Sequence, residues 1–146
     1  MVAMIGTEIT LAALVEDFLR VEIQSRSACR LGMSLIEDPN ERWLLAELQE
    51  VHEQHLAFLR RIAGDCGAGQ PADGTDHEAS LTGRIRLAHR VAGDRAILIA
   101  VAAVEQEAID AYRRALRSTT LSPHLRPGFE RALERLRRQR LRLEEA

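Results

Sequence analysis

The chain has no lysine: its 20 basic residues are all arginine. That bias reads as base composition before function, because 22 acidic residues leave a formal net charge of -2. Without an excess of positive charge there is no general pull toward nucleic acid or an anionic membrane. Aromatic residues are also scarce, at 3%. A sheet core wants β-branched and aromatic side chains, so a Leu, Ile, Val and Ala core favours helices instead. Cysteine is nearly absent. Cys29 and Cys66 have neither metal-ligand spacing nor a disulfide framework, which fits a reducing, cytoplasmic compartment. No basic start precedes an uninterrupted apolar stretch, since Glu8, Glu16 and Asp17 interrupt the first twenty residues. Neither a signal peptide nor a membrane span is expected. Internal repeats, low-complexity tails, nucleotide-binding glycine loops and nucleophile motifs are lacking too.

What is present is ordinary for one soluble domain of 146 residues, 46% apolar and 29% charged. The apolar residues recur with helical spacing. Thr7 can cap a first helix over about 8–36, with Leu11, Leu14, Phe18, Val21, Ala28 and Leu35 on one face. Glu37-Asp38-Pro39-Asn40 ends it, and Pro39 fits the first turn of a second helix over about 40–64. Gly64 to Gly74 reads as a loop. Thr75-Asp76-His77-Glu78 has the form of a capping box, opening a short connector helix over about 76–92. Asp94 starts a third long helix over 94–117. Ser122 and Pro123 start a fourth over 122–145. The pattern predicts an all-α fold, an antiparallel four-helix bundle with a short helical crossover between helices two and three.

The informative residues are polar groups on apolar faces. His52 and His55 fall within the arc of Leu48, Leu59 and Ile62, with Gln49 on its flank. Glu105 lies between Val101, Ala108 and Tyr112, and Glu22 lies beside Phe18 and Cys29. Counted from their connecting loops, Glu22, His52 and Glu105 come to similar heights. Burying such groups singly is costly; gathering them around a cation, or pairing them with arginine, removes much of that cost. Arg140, on the line of Phe129, Leu133, Leu136 and Leu143, is one arginine that could serve. Arg131, Arg135, Arg138 and Arg142 form a separate outer stripe with no aromatic interleaving. It reads as a solvated face, with no nucleic-acid partner. Cys29 reads as core packing, Cys66 as a loop thiol and Trp43 as packing or a subunit contact.

Leu19-Arg20-Val21-Glu22, His52-Glu53-Gln54-His55, Gly93-Asp94 and Val104-Glu105-Gln106-Glu107 leading to Ala111-Tyr112 occur in a telling order. In that order the chain resembles the ferritin-like four-helix-bundle superfamily, nearest to its small rubrerythrin-related bacterial members, from about Thr7 to the C-terminus. That family's di-iron pattern places Glu on helix one, Glu-x-x-His on helix two, Glu on helix three and Glu-x-x-His on helix four. Two departures stand out. Helix two reads Gln49-x-x-His52. Helix four has no His in its long run: His124 is in its first turn, and Glu134-x-x-Arg137 is the nearest trace of the motif. The resemblance therefore implies a reduced centre. It would hold one ion of iron, zinc or manganese on Glu22, His52, Glu105 and His55, with Glu134 as a further candidate. Gln49 and Tyr112 would brace those ligands, and the chemistry would be iron or oxidative-stress handling. The competing expectation is a non-catalytic bundle that has lost its metal and acts through partner binding or as a homodimer or higher homo-oligomer.

Overall fold

The computed structural model describes residues 5–71 and 76–146, and of residues 76–80 the backbone alone. Among them the only regular secondary structure is helical. The helices are α1 (Leu11–Leu35), α2 (Pro39–Cys66), α3 (Asp76–Ala92), α4 (Asp94–Arg117) and α5 (Arg126–Glu145), with one 3₁₀ turn, Pro123–Leu125, before α5.

The helix ends follow their local chemistry. The first helix opens later than its apolar stripe suggests. Thr10, not Thr7, is the cap, and its hydroxyl accepts the Ala13 N–H at 3.2 Å. Asp38 caps α2 by accepting from the N–H groups of Asn40 and Glu41, with Pro39 in the first turn as expected. α2 then runs through Gly64, which the sequence pattern takes as its end. It stops instead at Gly67, whose φ of 73° is the left-handed conformation that closes a helix. Gly93, at the same φ, separates α3 from α4. Ser122 gives no side-chain cap, so residues 123–125 form a tighter turn and regular helix begins only at Arg126. Thr75, in the proposed capping box, lies outside the described residues.

The chain doubles back on itself at each tight connection. Arg30 pairs with Glu53 and Arg42 reaches the Ile36 carbonyl, so α2 returns along α1. Arg126 reaches the Leu116 carbonyl and Arg95 the Ala146 carbonyl, so α5 returns along α4. α1 packs on both α2 and α4, and α5 on both α2 and α4, while α3 leans on α1 and α4. Asp94 binds the helix ends together, its carboxylate accepting from the N–H groups of Glu37 and Asp38.

The core is the Leu, Ile, Val and Ala interior that the composition predicts. Each fully buried Leu or Ile contributes about 1.5–3 kcal/mol from burial. Close approach needs glycine at two places. A Cβ on Gly32 would stand 2.7 Å from Leu45 and 3.2 Å from Ile97, where α1 meets α2 and α4. A Cβ on Gly128 would stand 2.5 Å from the Phe58 ring, where α5 meets α2. Among the described residues no helix is long and apolar enough to cross a membrane.

Candidate metal centre

The interior holds a small set of polar groups. Glu22, His52 and Glu105 are 0% exposed and His55 is 4% exposed. Helical spacing explains how they share one interior. His52 and His55 are three apart on α2, so they point the same way. Glu22 and Cys29, and likewise Glu105 and Tyr112, are seven apart, or two turns, on α1 and α4.

His52 is the hub. Its Nδ1 lies 2.5 Å from Glu22 Oε2 and its Nε2 lies 2.7 Å from Glu105 Oε1. Burial opposes a charge on this ring, but Glu105 and then Glu22 outweigh it and raise the pKa from 6.5 to about 10. At neutral pH His52 is thus an imidazolium donating to both carboxylates. Glu22 is the most heavily bonded acceptor. The Tyr112 hydroxyl donates to its Oε1 at 2.5 Å and His55 Nδ1 lies 3.1 Å from the same oxygen. Burial alone would raise the Glu22 carboxyl. The charges of His55 and His52, with their hydrogen bonds, hold it far below the usual carboxylate range. Burial and the neighbouring Glu22 push the Tyr112 hydroxyl well up, and burial, Glu105 and Glu22 do the same to the Cys29 thiol.

Two donor sets result, sharing His52. Glu22, His52 and His55 offer ligand atoms within 4.8 Å of one another, and so do Cys29, His52 and Glu105. No protein-family model, curated protein or solved structure matches this chain. The chemistry open to the cluster is set by its geometry.

That geometry fits a cation in three respects. The donors are imidazole and carboxylate, suited to divalent first-row metals. Two buried atoms of the cluster, His55 Nε2 and Glu105 Oε2, have no hydrogen-bond partner. Charge balances as well: two carboxylates and two neutral imidazoles around one divalent ion sum to zero, a favourable count in a dry interior. The separations of 2.5–3.1 Å are hydrogen-bond lengths. Donors around a tetrahedral ion stand about 3.3–3.6 Å apart, given bonds of about 2.0–2.2 Å. A metal would replace the proton on His52 Nδ1 and open the donors by several tenths of an ångström.

The other sequence-predicted residues fall elsewhere. Glu134 is exposed and pairs with Arg138 on the outer face of α5, so it is not part of the cluster. Arg140 pairs with Glu144, one turn along its own helix, and not with Glu22 or Glu105. The counter-charge the sequence sought in an arginine is supplied by His52. Gln49 is half-buried and makes none of the cluster's hydrogen bonds. Tyr112 does brace Glu22. Trp43 is 57% exposed with Arg142 stacked 5.5 Å over its ring. Cys29 is packed in the core, as the sequence predicts, and its sulfur also comes beside His52 and Glu105. Its spacing of seven from Glu22 on α1 was the available signal.

Proposed function

We propose that this chain is a ferritin-like helical bundle carrying a reduced, single-metal carboxylate/histidine centre. The bundle reading draws on α1, α2, α5 and α4 each packing on two of the others, with α3 as the connector. The site residues follow the resemblance: Glu22 from the first long helix and His52 and His55 from the second as ligands, with Glu105 from the third behind His52. The fourth long helix, α5, contributes none. The observation that carries the proposal is the convergence of Glu22, His52 and His55 donor atoms within 4.8 Å in a dry interior.

The cation would sit at the Nδ1 edge of His52, held by Glu22 and His55. Glu105, accepting from Nε2–H, would fix the His52 tautomer, and Tyr112 would orient Glu22. Iron or manganese there would supply redox chemistry of the iron-handling or oxidative-stress kind, and zinc would not. The protein's own part is to hold the donors, exclude water and release a proton from His52 as metal enters.

Protein purified without chelator, or loaded with ferrous iron, zinc or manganese, should retain about one ion per chain after desalting. A ligand that binds only the folded state raises the melting temperature, so loading should do so. His52→Ala should abolish retention and Glu105→Ala should weaken it. No retention of any of the three metals would remove the proposal.

A second reading has one specific observation behind it. As an imidazolium, His52 already donates to both carboxylates, so the cluster can also stand as a structural salt-bridge layer with no metal. The chain would then be a metal-free bundle acting through contacts, as a homodimer or with another protein. Stable, metal-free protein under every loading condition is the outcome that selects it.

A further inference from the structure

We propose that Cys29 is a metal ligand, and that the Nε2 edge of His52, with Glu105 and Cys29, forms a second, thiolate-bearing cation position of the zinc class. This rests on the reading of the buried cluster as a metal centre and goes beyond it, because that reading leaves Cys29 as packing. Three observations carry it. The Cys29, His52 and Glu105 ligand atoms lie within 4.8 Å of one another, on α1, α2 and α4 respectively. All three residues are 0% exposed. Glu105 spends Oε1 on His52, while its Oε2 is buried with no partner. A buried carboxylate oxygen left unsatisfied is costly, and a cation shared with the neighbouring sulfur removes that cost.

The donor set differs in kind from the one on the opposite edge of the ring. Glu22, His52 and His55 offer only oxygen and nitrogen. Cys29 adds a soft, polarisable sulfur, and sulfur with imidazole and one carboxylate is a zinc-type set. Charge and protons balance locally. When a divalent ion enters this edge, with Nδ1 keeping its proton toward Glu22, Cys29 gives up its thiol proton and His52 its Nε2 proton, both to solvent. One thiolate and one carboxylate then neutralise the ion. No electron moves. A seven-residue spacing puts Cys29 and Glu22 on one face of α1, so each edge of His52 receives one donor from that helix.

Cobalt(II) is the probe, because a thiolate bound to it adds a charge-transfer absorption that oxygen and nitrogen donors do not. Metal-free protein titrated with cobalt(II) should develop that band in the wild type and in Cys66→Ser. It should be lost in Cys29→Ser and Cys29→Ala. Both Cys29 variants should still retain cobalt at the Glu22 edge, seen by its ligand-field absorption and by metal analysis after desalting. Cobalt retained by the wild type with no thiolate band, or a band that survives in both Cys29 variants, overturns the assignment of Cys29 and leaves the carboxylate/histidine centre standing. No cobalt retained at all overturns both. The wild-type spectrum decides the matter even if a Cys29 variant folds poorly.

Discussion

α5 and the three helices α1, α2 and α4 face the same interior and fill it with opposite chemistry. The buried residues of α5 are Phe129, Ala132, Leu133, Leu136 and Leu143, with no polar atom among their side chains. Its arginines are spent on the rim, where Arg142 meets Glu47, Arg138 meets Glu134 and Arg135 meets Gln54. α1, α2 and α4 bury Glu22, His52, His55 and Glu105 in the same core. The boundary between the two regions is aromatic. Tyr112 lies 4.6 Å from Phe18 and 5.7 Å from Phe129, and Phe129 lies 5.2 Å from Phe18. α5 therefore serves the cluster as a lid of carbon. It lowers the local dielectric, which strengthens every charge pair behind it and makes any unpaired charge there more costly.

The contrast breaks most sharply at His52. His52→Leu leaves Glu105 buried without its partner and Glu22 with only His55 and Tyr112, and should cost about 3–5 kcal/mol in metal-free protein. Urea unfolding at pH 7 measures this, and a loss below about 1 kcal/mol would mean that His52 is not the main counter-charge of the pair. The same residue sets the pH response. Its pKa is raised from 6.5 to about 10 on folding, so the folded state keeps a proton that the unfolded chain releases. Its contribution is complete below 6.5 and lost as pH rises through about 10. Glu22 has the opposite sign: its contribution is present above its ordinary value of 4.5 and lost as pH falls through its depressed folded value. Urea midpoints of metal-free wild type should decline from pH 7 to 10, and His52→Leu should flatten that decline.

Leu136→Ala, on the apolar side, should cost about 2–4 kcal/mol by cavity formation. Its cost should be the same at pH 7 and pH 10, and metal retention should be unchanged. A pH-dependent cost would show that α5 takes part in the charge network. Tyr112→Phe sits on the boundary. Removing a donor to the ionised Glu22 should cost about 1.5 kcal/mol while the ring packing survives. Metal retention should weaken more than stability does, by comparison of desalted metal content with the urea midpoint. The smallest effect belongs to Glu134→Ala, at about 0.5 kcal/mol or less, since its pair with Arg138 is exposed. Metal content in that variant should match wild type; a drop would return Glu134 to the centre.

Much of this contrast was legible before any coordinates. Glu22, His52, His55 and Glu105 each break the apolar stripe of their own helix, and all four are buried. Periodicity can find such residues because burial is set by the helix face. Glu134 and Arg140 misled for a different reason. Glu134 fits a motif trace and Arg140 fits a stripe, but each has a partner one turn along α5. An i,i+4 ion pair at the surface avoids the desolvation that entry to the core would require. Helix ends were read to within a few residues, and they slipped where two side chains competed as cap, as with Thr7 and Thr10.

The sequence alone determined an all-helical chain, the approximate helices and the few polar residues turned inward, because these depend on local spacing along one helix. Only the tertiary structure decided which atoms meet. It made His52 the counter-charge instead of Arg140, put Tyr112 on Glu22 and brought Cys29 beside Glu105. Those outcomes depend on the height and rotation of one helix against another, fixed by packing such as that at Gly32 and Gly128. No single helix carries that information.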